Sequence, residues 1–489
     1  MIGAALGLEV RTLLRSPLRL AILLLVLGSG IFVIARGQED VRRWREAIDA
    51  GYSLQDESLE EAREHFAAER PGPEDRPWVD LSAPRWQDWY AATRMAREPS
   101  PLAGMAFASA ETGAVTVRIN RFANPLLAQG TKLENPVLAA AGGFDLVTVL
   151  TLLLPLMILA LGVDVGGHER ASGILPLIQI QSGRDQSWIF ARCIAVGTIA
   201  GLAGLALSAF AAFTGGADVA DGLLLSAFVL TYVAVWTSLL AVVAVIAKHP
   251  SQASVAMGSA WIVLCVLVPA VGLERSAALA ADDFAVDLTV DARDAGQALR
   301  DLEDEEVLSR VLARFPELDS SVLDEEEAGG GRAARDALRL VALEQRLGRR
   351  EQLGQAQARY VSLASMVSPA VAMTHSLEQL AGRGPEAARE YRRAVINAAS
   401  IRMERYILAS WNAEPLGVED FEELVASTPS RLSPRVDPSW GDLSILVFWA
   451  AALAALAGVL APGRPKLASA PAGTRAPIEG QIQVRGSTK

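Results

Sequence analysis

The sequence predicts an α-helical integral membrane protein with six transmembrane helices, both termini on the inner side, and two large insertions on the outer side. Three observations carry this expectation. Six apolar runs approach or exceed the ~20 residues a helix needs to cross a bilayer. Charge is segregated: 21% of the 489 residues are charged and 51% hydrophobic, with a mean hydropathy of +0.27. The two facts are compatible only if apolar residues are gathered into spans and charges into water-facing segments. Finally, Lys and Arg are distributed unevenly over the short loops.

The first run, Leu20–Ala35, is short, but Arg19 and Arg36 flank it and can snorkel to the two surfaces. A cleaved signal peptide is the other reading. No small-x-small cleavage site follows Val33-Ile34-Ala35-Arg36, so retention as an anchor is expected. Phe144–Val163 carries Asp145 at its edge, and Trp188–Phe213 carries Arg192 near its start. Leu223–Ala247, Ala253–Leu273 and Leu443–Ala461 carry no charge. A charge at the bilayer centre costs roughly 3 kcal/mol or more, so this marginal placement supports the boundaries.

Orientation follows from the short loops. Arg11, Arg15 and Arg19 precede the first span, Arg170 and Arg184 lie between spans two and three, and Lys248 lies between four and five. The tail holds Arg464, Lys466, Arg475, Arg485 and Lys489, whereas Thr214–Gly222 has Asp218 and Asp221 and neither Lys nor Arg. All five put the amino terminus inside. The expected organisation is an amphipathic interfacial helix over 1–17, spans over 18–36, 144–163, 188–213, 223–247, 253–273 and 443–461, an inner loop over 164–187, outer domains over 37–143 and 274–442, and a disordered Pro/Ala/Gly-rich tail over 462–489.

The first outer domain is expected to be mixed α/β. A charged helix, Asp40–Arg70, ends at Pro71-Gly72-Pro73, and Ala114–Ile119 alternates as a strand does. Trp78, Trp86, Trp89 and Tyr90 could stack on a ligand, but packing in a small core or at the membrane interface is the favoured reading. The second domain reads as mainly helical. Leu299, Leu302, Leu308, Val311, Leu312 and Phe315 mark one face, stopped by Pro316. After Gly329-Gly330-Gly331, Leu340, Leu343 and Leu347 begin a helix extending to about Met366. Gly384-Pro385 opens another, with Ala388, Tyr391, Val395 and Ala398 on one stripe. The run Asp324–Glu327 lacks the spaced oxygen ligands of a calcium loop and reads as a solvated helix start.

Several chemistries find no residues to carry them. There is no phosphate-binding loop ending in Lys-Ser/Thr and no Gly-x-Ser-x-Gly elbow. His65, His168, His249 and His375 are scattered, and Cys193 and Cys265 lie in apolar runs, where they read as buried small hydrophobes. No carboxylate lies mid-span to relay protons. The net charge of −11 comes without a basic patch, which argues against nucleic acid. No metal or cofactor is expected on this chain, and an enzyme or ion-driven pump is disfavoured.

The segment Asp164-Val165-Gly166-Gly167-His168-Glu169-Arg170-Ala171-Ser172-Gly173-Ile174-Leu175-Pro176-Leu177-Ile178 places a charged pair, a glycine and then apolar Leu175 and Ile178 at the inner surface. It resembles the intracellular loop of ABC-2-type transporter permeases, roughly Glu-Arg-x-x-Gly-Thr-Leu-x-x-Leu-Leu. Glu169, Arg170, Gly173 and Leu175 match, while Ile174 replaces the usual Thr and Pro176 is unusual. Asn135-Pro136, Gly143-Phe144-Asp145, Leu154-Pro155-Leu156 and Ser368-Pro369-Ala370 are similar to a branch of that family with large extracytoplasmic insertions. Glu9-Val10-Arg11-Thr12-Leu13-Leu14-Arg15-Ser16-Pro17 looks like its interfacial helix. The resemblance implies a permease subunit in a bacterial inner membrane, paired with a second copy or a similar permease. A separate cytoplasmic ATPase dimer would hold ATP and Mg, and this chain would transmit its closure to export or extraction of a substrate. On that view Glu169 and Arg170 fix the dock, Gly173, Leu175 and Ile178 complete it, and Glu9, Arg11 and Arg15 belong to the interfacial helix, with both arginines near anionic headgroups. The bland reading of Glu169-Arg170 is a solvated pair flanking a span. A non-transporting scaffold or sensor, whose outer domains bind a periplasmic partner, is the competing function.

Overall fold

A computed structural model gives the fold and describes residues 1–107, 115–120, 143–174, 177–178, 187–272, 293–294, 296–316, 318, 330–411, 415–428, 431–433 and 439–461. Leu175, the acidic run Asp324–Glu327, Asn135-Pro136 and the tail 462–489 lie outside the described residues, as do the side chains of Leu340, Leu343 and Leu347. Six helices are long and apolar enough to cross a membrane, as expected of a multi-pass membrane protein. The spans are called one to six in chain order. Their two ends are the loop end, where the amino terminus lies, and the insertion end.

Helix α1 (Ile2–Arg15) stops at Ser16, whose hydroxyl caps α2 (Pro17–Ala67) by accepting from the Arg19 amide at 3.4 Å. Span one and the charged helix expected after it are thus a single helix, not a short span followed by a separate domain. Nothing between Arg36 and Asp40 breaks the backbone, and Glu39 supports the crossing by pairing with Arg42 and Arg43 one turn on. At ~1.5 Å per residue, α2 carries its last turns some 45 Å beyond Arg36. The helix ends at Ala67, before Pro71-Gly72-Pro73.

Span two is interrupted. Asp145 caps α4 (Leu146–Thr148) through the Thr148 amide at 2.9 Å. A π turn, Val149–Leu153, then precedes α5 (Leu154–Gly162), and α6 (Gly167–Ala171) closes the loop end. Pro155 has no N–H to give the Thr151 carbonyl. The Tyr232 hydroxyl of span four donates to that carbonyl at 2.8 Å, and Trp261 of span five donates to Leu152 O at 3.1 Å. Spans three and four, α7 (Ser187–Gly215) and α8 (Val219–Ile246), are joined by a tight turn, with Asp218 capping the second. Span five begins as α9 (Pro250–Ile262), has its own π turn at Val263–Leu267, and is described as far as Gly272. Spans two, three and four form the buried centre; Leu150, Met157, Val196, Phe228, Tyr232 and Trp236 lie in it. Both cysteines are buried and free.

The two insertions form one body rather than two domains. Between α3 (Pro84–Tyr90) and the second span lie strands β1 (Thr93–Arg97) and β2 (Thr116–Ile119), antiparallel with Met95 opposite Val117. The second insertion supplies α10 (Asp304–Arg314), α11 (Gly330–Val367), α12 (Pro369–Leu380), α13 (Pro385–Trp411), α14 (Val418–Ala426) and β3 (Arg431–Leu432). Strand β3 pairs parallel with β1, so the sheet runs β2-β1-β3 across both insertions. The expected α13 stripe of Tyr391, Val395 and Ala398 packs on Met95, Val117 and Ile119 of that sheet. Trp86 and Tyr90 pack with Leu59, Leu81 and Phe421. Trp78 is exposed, and Trp89 lies under the Arg118 guanidinium at 4.9 Å. Buried Arg402 joins the insertions by an ion pair with Asp88 at 3.2 Å and a hydrogen bond to Ala91 O at 2.8 Å.

One part of the second insertion does not stay with that body. The α11–α12 turn reaches alongside spans five and six (the latter α15, Trp440–Leu460): Ser368 Oγ donates to Leu264 O at 2.5 Å, and Trp449 Nε1 donates to Met366 O at 3.0 Å. Ala370, Met373, Leu377 and Leu380 of α12 belong to the same core as the spans.

Candidate functional site

The loop-end segment singled out by sequence folds as a short helix, and its first requirement is conformational. Gly166 has φ +78°, and a Cβ there would lie 2.3 Å from Ala244 O of span four. A Cβ on Gly167 would lie 2.8 Å from the His249–Pro250 backbone. The pair of glycines lets α6 press against the loop end of span four and the start of span five. Glu169 then closes the turn, its Oε2 accepting from the Gly166 amide at 2.8 Å.

The other carboxylate oxygen of Glu169 faces inward to Arg192 of span three. Arg192 also reaches Glu9 of α1 at 2.6 Å. Glu9 receives a second cation, Arg19 of span one, at 3.6 Å, and Arg19 pairs in turn with Asp164 at the end of span two. Three carboxylates and two guanidiniums thus alternate in a row from Glu169 to Asp164, with Glu9, Glu169 and Arg192 each under a tenth exposed. A lone charge so placed would be several kcal/mol unfavourable, and the alternation offsets part of that cost. The chain ties α1, span one, α6 and span three together. Ala5 of α1 packs on Ala191 and Ala195 beside it, a small-residue contact that lets the helices approach.

Arg170 completes the connection to span four. Its guanidinium donates to Ala244 O and Ala247 O at 2.6 Å each and to Val245 O at 2.9 Å. These carbonyls end a helix and lack intrahelical partners, and a planar five-donor fork is suited to gather them.

This geometry changes what is expected of Glu169 and Arg170 and adds partners for Glu9. Glu169 and Arg170 face the protein rather than an exposed dock, because each finds buried partners that its charge requires. Glu9 turns into the bundle and does not share the exposed face of α1 with Arg11 and Arg15, which are exposed as expected. Gly173 has φ +70° with open space around its α carbon, so it supplies a turn and no packing. Among the described residues of the segment, His168, Ala171, Ser172, Gly173, Ile174 and Leu177 are exposed and Ile178 is half-buried; Leu177 is 62% exposed. Leu175 lies outside the described residues. Arg19, Arg192 and Asp164 are the participants that sequence reasoning did not assign to the site. The signal was Arg192 itself, a charge inside an apolar run with no partner near in sequence.

Among the described residues no group of three or more His, Cys, Asp or Glu side chains is arranged to hold a metal ion. Residues 286–429, covering α10 to α14, match a family model described as a domain of unknown function, DUF3526. No curated protein and no solved structure matches the chain.

Proposed function

We propose that the chain is the membrane-embedded permease subunit of an ATP-driven transporter of ABC-2 type, with the loop after span two as its contact with a separate ATPase. The observation that carries this reading is the charge lock. A five-residue helix on a loop is joined through paired charges and carbonyl caps to α1 and to spans one, three and four. Force applied to its exposed edge is therefore delivered to α1 and three membrane spans at once. Such a device has use where a soluble motor drives a membrane bundle. Apolar Ile174 and Leu177, exposed beyond the lock, are the surface on which the motor would seat.

In this reading the loop end faces the cytoplasm, ATP and Mg belong to the partner, and a second permease copy completes the transport path. The insertions face outward from a bacterial inner membrane and decide what is exported or extracted. Affinity capture from native membranes tests it. The intact chain brings down an ATPase, and Ile174→Asp with Leu177→Asp abolishes that capture while the protein remains folded. Failure of the intact chain to retain an ATPase, with no stimulation of ATP turnover, favours the scaffold or sensor reading.

A further inference from the structure

We infer that the α11–α12 turn of the DUF3526 region is inserted into the bilayer leaflet at the insertion end, and that Tyr360, Leu363, Met366 and Val367 face its acyl chains. The inference depends on the six helices being membrane spans and not on the transporter reading. Two separate rulers give the depth of the tip. Leu264, which accepts from Ser368, lies eight residues before Gly272, the last described residue of span five, or ~12 Å along the helix. Trp449, which holds Met366 O, lies nine residues into span six, or ~13 Å. Gly272 in turn faces Ala364, as antiparallel packing of span five on α11 requires. A leaflet's hydrocarbon is about 15 Å thick, so the tip approaches the bilayer centre.

The sequence of the hairpin agrees with that depth. No charged residue occurs from Tyr360 to Thr374. The run is bounded by Arg359 on one arm and His375 on the other, about 13 and 10 Å from Ser368 at the helical rise. His375 pairs with Asp442 at the start of span six, which places the bilayer boundary at the same level by a third route. Backbone in hydrocarbon must be satisfied internally. Both arms are helical, Ser368 is fully buried and caps α12 through the Val371 amide at 3.3 Å, and Trp449 occupies the Met366 carbonyl.

The outward face of the lower α11 turns carries Tyr360, Leu363, Met366 and Val367, between 41% and 59% exposed. Val263, Val266 and Leu267 on span five and Val447 and Phe448 on span six, the two spans the turn is bonded to, are exposed apolar residues as well. In water this patch would be unfavourable. Close helix–helix seams in membranes favour small residues, whereas these four are large, so acyl chains fit the face better than a second copy does.

Nitroxides placed singly by Arg359→Cys, Leu363→Cys and Met366→Cys in the full chain, reconstituted into phosphatidylcholine vesicles, test this. Cys193 and Cys265 are buried and provide the unlabelled background. Collisions with dissolved oxygen should exceed those with a water-soluble nickel chelate severalfold at positions 363 and 366, with the preference reversed at 359. Ready access of nickel to 363 and 366 would place the turn in water. Access of neither reagent would mean that protein, not lipid, covers it. Either outcome overturns the inference and leaves the ATPase-coupling reading untouched.

Discussion

Arg192 in span three and Glu9 in the amino-terminal helix are 183 residues apart in sequence and 2.6 Å apart in the fold, both nearly inaccessible to solvent. Arg192 is also the only cation bonded to Glu169 in the lock. Arg192→Met therefore leaves two carboxylates buried without their shared counter-charge. Removing one partner of a buried pair typically costs about 3–5 kcal/mol. A loss of that order is expected in the unfolding of the purified protein in detergent. Arg192→Lys retains the charge but not the fork that spans two carboxylates, and should fall between. Adding Glu9→Gln to Arg192→Met should recover part of the loss. Equal stability of all these variants would mean that the lock contributes nothing.

Gly166 and Gly173 share a left-handed backbone but differ in surroundings, which separates strain from collision. Alanine in that conformation costs about 1–2 kcal/mol. At Gly173 that is the whole expected effect, because nothing lies within 4 Å of the added carbon. At Gly166 the carbon would also meet Ala244 O at 2.3 Å, and backbone cannot turn aside. Gly166→Ala should thus be much the more destabilising in thermal melts, and it should weaken the Arg170 cap on the same carbonyl.

Much of this fold is legible in the sequence because a span announces itself by an unbroken apolar run, and each of the six runs falls on one of the six long apolar helices, although the first of these continues to Ala67. What the runs do not encode is partnership. Nothing local to Asp88 points to Arg402, and nothing near β1 announces that β3, over 300 residues later, completes its sheet. The hairpin escaped for a different reason: Tyr360–Thr374 is too short an apolar run to span a bilayer, although its lack of charge was visible. At the loop end, Glu169 and Arg170 look like ordinary flanking charges until Arg192 is asked where its counter-charge lies.

The joint between the insertions and span one depends on two glycines. A Cβ on Gly37 would lie 1.8 Å from Gly104 O, in the 3-10 turn Ala103–Ala106 that packs on the insertion end of the bundle. Gly37→Ala must displace that turn. Gly28, nine residues or ~13 Å away on the same helix, has open space around it. Gly28→Ala should leave stability unchanged or slightly raised, as alanine favours helix. Protease sensitivity at the turn should rise for the first variant and not for the second.

His375 Nδ1 and Asp442 Oδ2, 2.6 Å apart, join α12 to the start of span six. Burial of the ring opposes its protonation, but the hydrogen bond and charge of Asp442, aided by Glu378 and Glu386, outweigh burial and hold His375 above its ordinary value of 6.5. A group whose affinity for a proton is raised by folding stabilises the fold while it is protonated. The contribution is fully present below the ordinary value and is lost as pH rises through the raised one. Span six should therefore be held to α12 more firmly in mildly acid than in alkaline solution. The direct measurement is thermal stability across that interval for the native chain and for His375→Asn, which keeps a hydrogen-bonding side chain but does not titrate. The native protein should lose stability with rising pH by an increment the variant lacks. Parallel curves for the two would show that the pair does not titrate with folding.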